Sequence, residues 1–197
     1  MIREKVEAPD KESAFFLAGV RIDLQDNAPE YPALVLGNFM TGGGFLNSRL
    51  AARIRQKDGI SYGIGSFFSA SPRDRDATFG SYAIYAPQNS KRLTTAFDEE
   101  MARVVAEGFK AEEIAEAKKG WLQERQVGRA SDRELCTLLA EHANLGRTMA
   151  WEAELERLVL ALGNDEVQAA MKKHVDPARI SVVESGDFAK AQAAKEP

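Results

Sequence analysis

Apolar residues crowd the stretch Ser13 to Leu24, where Phe15, Phe16, Leu17, Val20 and Ile22 predict a first, mostly buried β-strand. The opening Met1 to Pro9 runs straight into it, as in a domain cut from a longer protein. After Pro29 and Pro32, Ala33 to Met40 predicts a short apolar helix ending in Gly42-Gly43-Gly44. A second helix is expected over about Leu46 to Lys57, with Leu50 and Ile54 inward and Gly59 as its stop. The period then changes to two. Ile60 to Ala70 and Thr78 to Ala86 alternate as a hairpin around the charged tip Pro72-Arg73-Asp74-Arg75-Asp76, which is expected in solvent.

The second half of the chain returns to helical spacing. Leu93, Phe97, Met101, Val104 and Val105 share one face of a helix closed by Gly108, and Ile114, Ala117 and Trp121 mark the next. Ser131 and Glu134 have the spacing of a capping box, ahead of Leu135, Leu138 and Leu139. Leu155, Leu158, Val159 and Leu162 make a further helix stopped by Gly163, and another runs from Asp165 to Val175 before Pro177. Arg179 to Glu184 is the closing strand. Strands at both ends of a helical middle predict an α+β fold, a mostly antiparallel sheet with helices packed on one face.

With 197 residues, 44% of them hydrophobic and 28% charged, the chain can bury one core, so residues 1–197 are read as a single domain. The formal charge of −4 is spread as interleaved acids and bases, which leaves no basic stripe for nucleic acid. Cys136 is the only cysteine; it excludes an internal disulfide or cysteine metal cluster and is expected to be a small core residue. No apolar run approaches a membrane span and no secretory h-region follows Met1. Localisation stays open between bacterial cytoplasm and periplasm, since a leader on a parent chain would lie outside this sequence.

The candidate chemistry lies at the helix-to-strand junction Arg55-Gln56-Lys57-Asp58-Gly59-Ile60-Ser61-Tyr62. A helix ending at Gly59 and a strand starting at Ile60 would let the Arg55 guanidinium and the Tyr62 phenol face one cleft. The alternative is local: Arg55 as a cation favoured at a helix C-terminus, and Tyr62 as an aromatic packed at a sheet edge. Gly42-Gly43-Gly44 is followed by neither the Lys nor the Ser/Thr of a phosphate loop, so it reads as a helix stop and tight turn. Ser48 and Ser61 lack a nearby histidine base for nucleophilic work, and Trp121 and Trp151 sit at core-like spacing.

The junction resembles the C-terminal, non-catalytic half of pitrilysin-type (insulinase-family) zinc peptidases. Two further runs carry the resemblance along nearly the whole chain: Glu107 to Lys118, similar to the family's glycine turn and acidic helix start, and Asn164 to Ala170 with Val182-Val183-Glu184-Ser185-Gly186, similar to its closing helix and strand. The resemblance implies that Arg55 and Tyr62 are the functional pair, Arg55 holding the substrate backbone and Tyr62 donating to the carbonyl oxygen that gains charge during peptide hydrolysis. One such donor is worth about 3 kcal/mol. Gly42, Gly43 and Gly44 are further candidates for peptide contact, by similarity to a longer glycine-rich loop in the non-catalytic subunit of mitochondrial processing peptidase.

Catalysis in that family needs an inverted zincin motif, two His and a Glu on one helical turn with a further carboxylate. This chain has only His142 and His174; Leu138-Leu139-Ala140-Glu141-His142 has Leu138 where the first His would stand. No metal is expected in this chain, and zinc is expected in a partner domain. The implied protein is the substrate-binding half of a zinc metalloendopeptidase, inactive alone, closing over a zinc-bearing half in the same parent chain or a separate subunit. It would be the C-terminal half of a longer peptidase or one subunit of two, with peptide as substrate and self-association when the partner is absent. The alternative is a non-proteolytic scaffold subunit of the same fold.

Overall fold

The computed structural model describes residues 1–193 and has five strands in one sheet. β1 (Arg3–Glu7), β2 (Ala14–Ile22), β3 (Ser61–Ala70), β4 (Ala77–Tyr85) and β5 (Ser181–Gly186) are ordered β1-β5-β2-β4-β3. Three neighbouring pairs are antiparallel and only β1 with β5 is parallel. The helices are α1 (Tyr31–Asn38), α2 (Ser90–Glu107), α3 (Ala111–Ala130), α4 (Asp132–Asn144), α5 (Met149–Ala161), α6 (Asn164–His174) and α7 (Phe188–Ala193). The expected α+β class, with helices against one face of a mostly antiparallel sheet, is what forms.

Side chains of a strand alternate between faces, and here the alternation decides what is core. In β2, Ala14, Phe16, Ala18, Val20 and Ile22 are buried, and Phe16 pairs with Ala83 of β4, which in turn pairs with Ile64 of β3. Leu93, Phe97, Met101 and Val104 of α2 close onto this face, Phe97 meeting Phe16 edge-on with ring centroids 5.0 Å apart. Phe15 and Leu17 point the other way and are exposed, so the expectation of a mostly buried first strand is corrected to a half-buried one. Tyr82 of β4, Phe67 of β3 and Val183 of β5 are exposed with them.

A buried carboxylate ties the sheet to α2. Glu184 accepts hydrogen bonds from the Tyr85 hydroxyl and from Ser90 Oγ at 2.7 Å. Burial and that bond to Glu184 push the Tyr85 phenol well above its ordinary range. Lys5 Nζ donates to Ser90 at 2.6 Å and stands 3.6 Å from Glu184, which fastens β1 at the sheet edge. β1 was not expected as a strand of its own, and all five of its residues are exposed, so no buried periodicity could announce it. α7 was likewise not expected.

Other expectations are corrected by local hydrogen bonding. The expected capping box does not form: the Ser131 hydroxyl makes no cap bond, and the Ser131 N–H is given to Gly128 O at 3.1 Å in the last turn of α3 and is lost to Glu134. α4 buries only His142, and Cys136 is exposed rather than core. The helix expected over Leu46 to Lys57 is broken: a 3₁₀ turn spans Phe45–Asn47 and a wide π-helical segment spans Ala51–Lys57, where Asp58 N–H reaches Arg53 O at 3.0 Å.

Gly42 and Gly43 lie inside a π turn, Phe39–Gly43, that continues α1, and Gly44 caps it with its N–H bonded to Phe39 O at 2.7 Å. A β-carbon on Gly42 would stand 2.5 Å from the backbone nitrogen of Ser66, so the turn can reach β3 only with glycine there. Gly42→Ala is therefore expected to lower unfolding stability by about 1–3 kcal/mol in chemical denaturation. Gly63→Ala, whose added carbon meets nothing closer than 3.9 Å, serves as the mild comparison. Equal effects in the two variants would refute the close approach.

Candidate functional site

The junction is built by a turn that only a few residues permit. Ile54 and Ile60 are both buried, and Ile60 N–H bonds Ile54 O at 2.9 Å, folding the chain back on itself through Gly59 at φ +60°. Ion pairs lock the outside. Arg53 binds Asp58 at 2.8 Å and Glu99 of α2 at 2.9 Å, Arg92 of α2 donates to Asp58 O at 3.1 Å, and Arg49 pairs with Glu113 of α3 at 2.6 Å. The π-helical segment that carries half-buried Arg55 is thus held against α2 and α3, and β3 packs on it.

Tyr62 is displayed by a bulge. The register of β3 on β4 shifts between Ser61 and Gly63, and the buried Ser61 hydroxyl bridges the gap, donating to Ile84 O at 2.6 Å and accepting from Gly63 N–H at 3.1 Å. Tyr62 drops out of the ladder and is 67% exposed. Its phenol is a hydrogen-bond donor presented to solvent on a fixed backbone. Ser61 Oγ, by contrast, has its proton committed to a main-chain carbonyl, which removes the basis for a serine nucleophile there.

Arg55 and Tyr62 lie on either side of the Gly59 turn, Arg55 half-buried and Tyr62 exposed. The glycines separate by environment. Gly42 is buried against Ser66, Gly43 is exposed and Gly44 is half-buried beside Phe39. The turn is further pinned by Ser66 Oγ, which lies 2.7 Å from Asn38 Oδ1.

The histidines are structural in geometry. His142 is buried, its Nε2 2.7 Å from Glu152 Oε1 and its ring centroid 5.8 Å from that of Trp151. Glu152 also pairs with Arg125, which extends at 3.1 Å to Glu156. His174 is held below its ordinary pKa by burial and by neighbouring Lys173. Among the described residues no group of three or more His, Cys, Asp or Glu is placed to hold a metal ion. The His142–Glu152 pair was missed in the sequence; the turn through Gly146, at φ +64°, that folds α5 back beside α4 was its only local signal.

Fold and junction together define an α+β domain with a displayed phenol and no clustered metal ligands among its described residues. The chain belongs to the peptidase M16 inactive domain family, whose model matches residues 2–120. It is similar in structure to the peptidase M16 inactive domain from Pseudomonas fluorescens, with a TM-score of 0.81 and 22% identity over 93% of this chain and 42% of that one. The periplasmic protease PqqL from Escherichia coli gives a TM-score of 0.73 and 20% identity over 93% of this chain and 20% of that one. A chain of Complex III2 from Candida albicans gives 0.76 and 18% identity, covering 97% and 48%. This chain thus spans less than half the length of each of the three. No curated protein matches it.

The isolated chain is expected to retain no stoichiometric zinc after dialysis against a weak chelator and to cleave no fluorogenic peptide, because neither histidine has a second imidazole or a spare carboxylate in ligand geometry. Retained zinc with chelator-sensitive cleavage would overturn that assignment.

Proposed function

We propose that this chain, as a single domain, is the substrate-holding half of a zinc metallopeptidase and closes over a zinc-bearing half that lies in the same parent chain or in a separate subunit. The observation that carries the reading is the bulge at Ser61, which sets out a donor hydroxyl at Tyr62 beside the Arg55 segment in a member of the inactive-domain family. Zinc and its activated water would come from the partner half. The part of this chain is to bind and to stabilise charge: Arg55 offers several directed donors to a substrate carbonyl or carboxylate, and Tyr62 offers a hydrogen bond to the substrate oxygen as it becomes negative.

The uncovered face of the sheet supports a partner. Phe15, Leu17, Phe67, Tyr82 and Val183 expose apolar surface on one side of the molecule, with Tyr62 and Leu46 near the junction. A second reading, a non-proteolytic scaffold subunit of the same fold, is favoured by the likeness to the Complex III2 chain. A gene neighbour encoding an inverted zincin motif would favour the peptidase, and the absence of one would favour the scaffold.

In the assembled peptidase, Tyr62→Phe is expected to lower turnover by roughly ten- to a thousandfold with the melting temperature unchanged, since it removes one transition-state donor and no packing. Arg55→Ala is expected to act mainly on substrate binding and raise KM. Wild-type kinetics in both variants would return the pair to a structural role.

Sedimentation of this chain with the candidate catalytic half is expected to show a heterodimer, and self-association when that half is omitted. The interface need not be large, because halves that open for substrate share modest, partly polar contacts. A chain that stays monomeric in both experiments, with peptide present, would contradict the closing of two halves.

A further inference from the structure

The inference concerns which peptides the chain holds, and it rests on the substrate-holding reading above. β3 is an edge strand, with β4 on one side and no strand on the other. Among the described residues, the main chain of residues 62–70 makes hydrogen bonds only to β4 and to the Ser61 hydroxyl, so its outer N–H and C=O groups are unpaired. Such an edge accepts an extended chain by main-chain hydrogen bonding, and a pocket beside it then selects among side chains.

A pocket of about 350 Å³ opens on that edge, between the α1 π turn, β3 and α3. Its aromatic walls are Phe39, Phe68 and Trp121, with Asn38 and Glu124 among its polar groups; Phe67 borders it from the strand, its ring lying over Gly80 on the other face of the sheet. The volume falls in the range of ligand pockets, and aromatic faces and polar groups share the lining. Charge narrows the choice. Arg125 also borders the pocket, but its guanidinium is engaged by Glu152 and by Glu156 at 3.1 Å. Glu124 is exposed and has no ion-pair partner among the described residues, which leaves the pocket's field negative.

From these observations we propose that the Phe39–Phe68–Trp121 pocket is a specificity site that takes a large apolar or aromatic side chain of an extended peptide lying along β3, and rejects acidic ones. A strand rises about 3.3 Å per residue, so Phe68 lies roughly 20 Å along β3 from Tyr62. A peptide in the same extended form places the anchored side chain about five or six residues from the bond held at Tyr62.

The test is a nuclear magnetic resonance titration of the ¹⁵N-labelled chain with three end-blocked alanine pentapeptides whose central residue is Phe, Ala or Glu. The Phe peptide is expected to shift the Trp121 indole and the amides of Ser66, Phe67 and Phe68, to leave the Trp151 indole in place, and to bind roughly tenfold or more tightly than the Ala peptide. The Glu peptide is expected to bind most weakly. Phe39→Ala, which truncates a half-buried ring of the pocket wall, should bring the Phe peptide down to the Ala peptide's affinity, while Phe67→Ala, whose ring lies over Gly80 on the other face, should leave it unchanged. Glu124→Gln should raise binding of the Glu peptide and leave the Phe peptide unchanged.

Equal affinity for all three peptides, shifts confined to the Phe15–Leu17 face, or no shift at millimolar peptide would overturn the proposal. Overturned in this way while Tyr62→Phe still loses turnover, the pocket falls and the substrate-holding reading stands. Loss of both results would remove the reading itself.

Discussion

The contact on which the rest of the molecule depends is the approach of the α1 π turn to β3. Gly42 lies so close to the Ser66 backbone that any side chain would push the two apart. The turn, Asn38 and Ser66 then fix where β3 runs relative to α1, and β3 in turn fixes where the junction can return from the π-helical segment Ala51–Lys57. π turns are uncommon because their hydrogen bonds are poorly aligned, and they recur where a backbone must be aimed rather than merely continued. Two of them within twenty residues, on either side of Asn47, mark the part of this chain in which regular helix was given up for position.

That same departure explains what the sequence made legible. α2, α3, α5 and α6 bury long stripes at helical spacing, and period-two alternation marks β3 and β4, so a local pattern was enough to find them. The junction was legible in a different way. Spacing put Arg55 and Tyr62 beside one turn, and the resemblance of that segment to a family supplied their roles. A π segment has the same apolar spacing as an ordinary helix over so few residues, which is why Leu46 to Lys57 read as one continuous helix. The bulge that turns Tyr62 outward depends on the Ser61 hydroxyl reaching Ile84, a residue more than twenty positions away. The edge pocket is less legible still, since Phe39, Phe68 and Trp121 come together only after three elements have packed.

Polar burial follows an analogous division. Glu184 with Tyr85 and Ser90, and His142 with Glu152, are buried groups that hold one element to another, the second pair joined by half-buried Arg125. A buried charge that lost its partners would cost several kcal/mol, so these networks enforce one arrangement of β5 on α2 and one of α4 and α5 on α3. His142 is bonded to Glu152 through Nε2 and packed beside Trp151, so its ring aligns α4 with α5. Buried acids and the imidazole are used for alignment, and the candidate chemistry is left to the Tyr62 phenol and the Arg55 guanidinium.

The open face of the sheet carries this argument further. Tyr82 lies directly opposite Gly65 and Phe67 opposite Gly80, and a β-carbon on either glycine would collide with the ring across from it, 2.9 Å from the Tyr82 hydroxyl and 2.3 Å from Phe67 Cζ. Each ring covers the glycine on the neighbouring strand, a cross-strand pairing that compensates a glycine's lack of side-chain packing while keeping the sheet surface flat. Flatness without helices above it would be a liability in a free domain, because exposed rings on a strand next to an unpaired edge invite aggregation. The arrangement makes physical sense when something large and removable normally lies over that face. The proposed partner half that opens and closes would satisfy both conditions, shielding the rings when closed and exposing the β3 edge when open.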